Sequence, residues 1–218
     1  MLAIGFGDSI TAGAFVPPEE TFLYKLGLQY GFDALNAGVP GNTTSQALER
    51  MQTDVLDKRP AICIIQFGMN DHVAVGVDER KVDPGTFEAN LRQMVAKLHA
   101  IKCVPILCTI SPIIEGDADH YYYHRHPREW YLHPPGAQAW IDEYSRIIRQ
   151  AARDLHVRLA DVAEQFACYV KEGGTLDGPE GVLRNLDNAG ADDGVHPVAS
   201  GHDLYAAAIT EALDKLEC

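Results

Sequence analysis

The chain has 218 residues, 46% of them hydrophobic and 22% charged, the make-up of an ordinary folded protein and a length that fits one domain spanning residues 1–218. Its 31 Asp and Glu against 18 Lys and Arg leave a formal charge of −13, which repels phosphate backbones and anionic membrane surfaces and argues against nucleic acid as a partner. No apolar run approaches the roughly 18 residues that a spanning helix needs, so no membrane span is expected.

The first strand, Leu2 to Phe6, starts with no basic leader or cleavage site ahead of it, which points to the cytoplasm; a product trimmed of its leader would read the same way. The strand runs straight into Gly7-Asp8-Ser9-Ile10, a bend that carries a carboxylate and a hydroxyl. Glu20 to Tyr30 is expected as a helix with Phe22, Leu23, Leu26 and Tyr30 on one side, followed by a short strand near Ala34 to Asn36. Thr43 with Gln46 has the form of a capping box, and Ala47, Leu48, Met51, Val55 and Leu56 then recur at helical spacing until Pro60. Ala61 to Gly68 is a continuous apolar run, the pattern of a strand buried on both faces.

The stretch "FEANLRQMVAKLHAI" predicts a helix with Phe87, Leu91, Met94, Val95 and Leu98 as its stripe. Val104 to Ile110 is a second buried strand, "GAQAWIDEYSRIIRQAARDL" a long helix, "VRLADV" a fifth strand, and about Ser200 to Leu216 the last helix. Strands alternating with helices imply βαβ units, because parallel neighbours need crossover connections. The expected architecture is an α/β fold, a three-layer α/β/α sandwich, whose ligands bind beyond the carboxyl ends of the strands. Gly7-Asp8-Ser9, Gly68-Met69-Asn70-Asp71 and Thr109-Ile110-Ser111 all fall at that edge.

Two segments break the alternation. Residues 115–135, "EGDADHYYYHRHPREWYLHPP", are rich in Tyr, His and Pro; Lys171 to Gly190 is rich in Gly, Asp and Asn. Both are expected to overhang the site, since long loops in compact domains are often functional. His120, His124, His126 and His133 crowd the first of them without metal-ligand spacing, and the segment reads as a substrate-facing lid, with no metal and no cofactor. Five cysteines, Cys63, Cys103, Cys108, Cys168 and Cys218, form neither a CxxC pair nor an even framework and read as reduced structural thiols.

Near the C-terminus, "ADDGVHPVASGH" places Asp193 and His196 three apart in a Gly-containing loop, with Asp192 as the competing carboxylate. A hydroxyl, an imidazole and an orienting carboxylate are the parts of nucleophilic acyl transfer, and Ser9 would supply the hydroxyl. The developing oxyanion needs donors. The backbone N–H groups of Ser9 and Gly41 and the side-chain amide of Asn70 are the candidates.

"GFGDSIT", "NAGVPGNTT", "FGMND" and "DDGVHP", in this order, resemble the SGNH hydrolases, also called GDSL-type esterases and lipases. The four blocks span Gly5 to Pro197, nearly the whole chain. The resemblance implies a flavodoxin-like parallel five-stranded sheet, Ser9 as nucleophile, His196 as base, Asp193 as its orienting partner, and Ser9, Gly41 and Asn70 as the oxyanion hole. The family commonly has Leu where this chain has Ile10, and the Tyr/His-rich insert lies outside the shared pattern.

The expected activity is hydrolysis of carboxylic esters through an acyl-enzyme, on a small-molecule or carbohydrate ester. Short acyl groups on a sugar come first, because Tyr121, Tyr122, Tyr123, Trp130 and Tyr131 could stack on a sugar ring. A lipase, lysophospholipase or thioesterase acting on longer chains, and an acyltransferase to an alcohol, are the enzymatic alternatives. A phosphate- or nucleotide-binding flavodoxin-like module is the non-enzymatic one, disfavoured by the absence of GxGxxG and GxxxxGK[ST].

Overall fold

The computed structural model describes residues 1–214. Five strands, β1 (Leu2–Gly7), β2 (Asp33–Gly38), β3 (Ile62–Gln66), β6 (Val104–Cys108) and β7 (Arg158–Ala160), form one parallel sheet in the order β2-β1-β3-β6-β7. Counted within the sheet this is 2-1-3-4-5, the flavodoxin-like order, with a switch point between β1 and β3. All five expected strands are present.

The composition of each strand follows its place. β3 lies in the centre and is buried at every position, so only an uninterrupted apolar run fits there. β2 lies at the edge and carries polar and small residues. The pair β4 (Ala74–Gly76) and β5 (Glu79–Arg80) is a separate antiparallel ribbon that the sequence did not disclose.

Nine α-helices occur among the described residues: α1 (Ser9–Ala12), α2 (Phe22–Tyr30), α3 (Thr44–Asp54), α4 (Pro84–Ala100), α5 (Tyr122–Arg125), α6 (Ala137–Asp154), α7 (Val162–Lys171), α8 (Leu186–Ala189) and α9 (Ala199–Asp214). α4 packs on α3 and α6, while α9 packs on α2 and α7, giving the helical layers of the α/β/α sandwich. The stripe Phe87, Leu91, Met94, Val95 and Leu98 of α4 is buried as its spacing requires. In α6 the inner face is Trp140, Ile141, Tyr144 and Ile148.

The expected capping box is present. Thr43 and Gln46 form the reciprocal capping box at α3. Asp83 caps α4 by accepting from Thr86 N–H, with Pro84 in the first turn, so this helix begins three residues before its apolar stripe. The fifth strand is shorter than expected because Asp161 leaves it to cap α7, accepting from Glu164 N–H. The expected end of the last helix at Leu216 lies outside the described residues, as does Cys218. Cys63, Cys103 and Cys108 are free and buried, and Cys168 is free and exposed. Among the described residues no helix is long and apolar enough to cross a membrane.

Candidate active site

The Gly7-Asp8-Ser9 bend is the passage from β1 into α1. Asp8 caps that short helix, its Oδ1 accepting from Ile10 N–H at 3.0 Å, and Ser9 occupies the first helical position. An N–H at that position has no acceptor inside its own helix. The bend can lie against the end of β2 only because residue 38 is glycine: a Cβ there would sit 2.2 Å from Ala12 N. Ser9 is thus held at the carboxyl edge of the sheet, next to the switch point.

Asp193 and His196 lie in the loop between α8 and α9. The loop is shaped by Asp193 itself, whose Oδ1 accepts from the N–H groups of Val195 at 3.1 Å and His196 at 3.3 Å. The carboxylate then meets His196 Nδ1 at 2.9 Å through Oδ2, and His196 Nε2 lies 2.9 Å from Ser9 Oγ. Three side chains separated by up to 187 positions in sequence form one continuous line of hydrogen bonds. Burial presses the Asp193 carboxyl upward, but the hydrogen bond and charge of His196 and the two backbone donors outweigh it and hold the group below the usual range. An ionised Asp193 accepts from Nδ1–H, which leaves the Nε2 lone pair facing the Ser9 hydroxyl. Asp192, the competing carboxylate, instead accepts from Tyr121 N–H.

Of the three expected oxyanion donors, Ser9 and Asn70 line the same cavity, and Gly41 does not. Gly41 sits in the turn before α3 at φ +77°, and among the described residues its N–H donates to nothing. The Asn70 amide joins the two regions, donating to the Asn42 carbonyl at 3.1 Å and to Asp8 Oδ2 at 3.3 Å. Beneath it lie two wholly buried carboxyls. Burial pushes Asp8 up to about 7, with Asp71 adding to the push against the Ile10 N–H bond. Burial likewise raises Asp71 to about 6 against its hydrogen bonds from Thr44.

The cavity over Ser9 has a volume of about 340 Å³, and its wall includes Met69, Val73 and Val195 beside the polar groups of Arg125, Arg184 and Asp192. The insert does not present its aromatics there as expected. Tyr122, Tyr123 and Tyr131 are 2%, 5% and 2% exposed, and of the five insert aromatics only Tyr122 reaches the cavity wall. Their hydroxyls are satisfied internally: Tyr122 Oη meets His72 Nε2 at 2.8 Å and Tyr131 Oη at 3.0 Å, and Tyr123 donates to Glu115. Aromatic area buried with its polar tips paired is core, and of this cluster only Tyr122 meets the cavity.

The four insert histidines also go separate ways. His126 stacks on Tyr122, its pKa lowered to about 4 by burial and by Arg125, while His133 pairs with Asp78 at 2.7 Å. His124 meets the Ala118 carbonyl, and His120 lies 3.9 Å from Asp192. The residue just before the insert is bound to the site loop as well, Ile114 N–H donating to the Gly194 carbonyl at 2.8 Å.

Three residues of the site carry no individual role in the sequence pattern. Arg125 sits in α5, Arg184 lies 3.5 Å from Asp193 Oδ2, and Phe15 and His196 form a T-shaped pair with ring centroids 5.0 Å apart. Arg125 could be noticed only as part of a basic, aromatic loop; Phe15 and Arg184 belong to no pattern that points at Ser9.

The fold agrees with what the chain resembles. The model of the GDSL-like lipase/acylhydrolase family matches residues 6–204. An uncharacterized lipoprotein, YqeF, of Bacillus subtilis is 35% identical over 174 residues, covering 75% of this chain and 71% of that protein. An acetylxylan esterase of Geobacillus stearothermophilus is 26% identical over 223 residues, covering 93% and 89%. Among solved structures, the acetyl xylan esterase AlAXEase superposes with a TM-score of 0.73 at 25% identity, over 98% of this chain and 100% of that one. The chain belongs to the GDSL-like lipase/acylhydrolase family and is an ester hydrolase.

Proposed function

We propose that Ser9 attacks the carbonyl of short-chain acyl esters, O-acetyl groups on carbohydrates foremost, and that the reaction passes through an acyl-enzyme. The observation that carries this reading is the line Asp193–His196–Ser9, with 2.9 Å at each of its two junctions. His196 Nε2 takes the Ser9 proton as Oγ bonds to the carbonyl carbon, and Asp193 steadies the resulting imidazolium. The oxyanion is received by the N–H groups of Ser9 and Gly41 and by the Asn70 amide, which gives up one of its present acceptors. His196 returns the proton to the departing alcohol. Water then repeats the sequence on the acyl-enzyme and restores Ser9.

Carbohydrate acetates are favoured by the likeness to two esterases named for acetylated xylan and by the mixed polar lining of the cavity, which suits an acceptor rich in hydroxyls. A lipid-anchored location stands beside the cytoplasmic one, since the Bacillus subtilis relative is named a lipoprotein.

A fluorophosphonate probe is expected to label Ser9 in the wild type and to leave Ser9→Ala unlabelled. Across p-nitrophenyl esters from acetate to palmitate, turnover is expected to peak at the short end and to fall by orders of magnitude in Ser9→Ala. Absence of labelling on folded protein removes the nucleophile, and a peak on long chains removes the short-acyl preference.

A further inference from the structure

Phe15 combines three properties that an ordinary surface residue does not. It stands in the wall of the Ser9 cavity, its side chain is among the exposed large hydrophobics at 65%, and its backbone has φ +70°. Bulky residues rarely adopt that conformation, and burial does not repay it here. The ring is nevertheless held. The Arg184 guanidinium covers one face, its Cζ 4.1 Å from the ring centroid, and the edge contact to His196 meets at 83°. Arg184 also reaches Asp193 Oδ2 at 3.5 Å, so the ring is keyed to the same pair that faces Ser9.

A strained, solvent-facing ring held in register with a nucleophile is an open apolar surface at a fixed distance from the acyl group. We propose that Phe15 is the stacking platform of a subsite for the alcohol part of the substrate, and that it takes the CH-rich face of a pyranose ring whose acyl group lies at Ser9. This inference rests on the ester hydrolysis proposed above and adds the residue that selects the sugar. The surroundings favour a sugar over an alkyl chain. Arg184 and Asp192 line the same cavity and can add hydrogen bonds to ring hydroxyls, which an alkyl chain cannot make. The guanidinium behind the ring adds to the rigidity of the platform.

The test compares kcat/KM on an O-acetylated methyl β-xyloside, phenyl acetate and ethyl acetate for the wild type, Phe15→Leu, Phe15→Gly and Phe15→Tyr. The ratio of xyloside acetate to ethyl acetate is expected to fall about ten-fold in the Leu and Gly variants, chiefly through KM, and to be retained in Phe15→Tyr. Glycine adopts φ +70° without strain, so a loss in Phe15→Gly does not come from a distorted backbone. An unchanged ratio in both variants overturns the platform, and a fall confined to phenyl acetate overturns the sugar as its occupant. A wild type that hydrolyses ethyl acetate but not the xyloside ester removes this inference together with the carbohydrate preference. A wild type inactive on all three esters and unlabelled by fluorophosphonate is instead a failure of the proposed chemistry itself.

Discussion

Arg125 donates to the backbone carbonyl of Asp193, and its other terminal nitrogen donates to that of Asp192. A residue of the insert thereby clamps the loop that holds His196 against Ser9, which makes the insert a brace for that loop as well as part of the cavity wall. Arg125→Ala is expected to lower kcat about ten-fold with KM little changed, because positional error in a catalytic group is felt mainly in the transition state. Guanidinium added to the assay should restore part of the loss. A raised KM with unchanged kcat would make Arg125 a substrate contact instead.

The Asn70 amide now serves Asp8 and Asn42, and the proposed mechanism asks it to serve an oxyanion. Asn70→Ala is expected to lower kcat by about 10² to 10³, the usual effect of deleting one such donor. KM should move little, since the ground-state carbonyl gains less from the donor than the tetrahedral intermediate does. Steady-state kinetics together with a thermal melt separate this from loss of fold. A change under three-fold in a variant that melts like the wild type rules out the donor.

Much of the site was legible because the relevant contacts are local or are imposed by the sheet. Asp193 and His196 share one short loop whose hydrogen bonds are internal. The buried strands are continuous apolar runs, and their carboxyl ends bring Ser9 and Asn70 to the same edge. Other features depend on tertiary partners that leave no periodic trace. β4 and β5 total five residues, and Asp78 between them is held by the insert, accepting from His133 N–H at 2.9 Å. α7 is hidden because "VRLADV" has the pattern of a strand through Asp161, although Asp161 and Glu164 carry the capping signal. The burial of Tyr122, Tyr123 and Tyr131 is not legible for a physical reason: an aromatic with a hydroxyl fits a sugar site and a buried hydrogen-bonded cluster equally well, and composition does not choose between them.

That cluster supports a prediction on stability. Tyr122 Oη lies between His72 Nε2 and Tyr131 Oη, all buried, and His72 Nδ1 is engaged by the Gly68 carbonyl at 3.1 Å. Burial lowers the His72 pKa to about 3, so the neutral ring donates from Nδ1 and accepts at Nε2. Tyr122→Phe strands that acceptor and is expected to cost about 1–3 kcal/mol. Denaturant unfolding should show the loss in the midpoint with an unchanged slope. An unchanged midpoint would mean that water replaces the hydroxyl.

The buried Asp8 carboxyl gives the pH dependence of stability a definite sign. Its folded pKa stands at about 7, raised by burial from the ordinary 3.8. Between those values the folded chain holds a proton that the unfolded chain has released, so stability is fully present below about pH 4 and is lost as pH rises toward 7. Asp71, raised to about 6, acts in the same direction and remains when Asp8 is replaced. Asp8→Asn is therefore expected to melt with a flatter pH profile, its decline ending near pH 6 while that of the wild type continues to about 7. The variant carries its own cost at every pH, because an amide cannot accept from both Ile10 N–H and Asn70 as the carboxyl does. The slope of Tm against pH, not its absolute level, is thus the informative quantity. Parallel curves from pH 4 to 8 would show that Asp8 is ionised across the whole range.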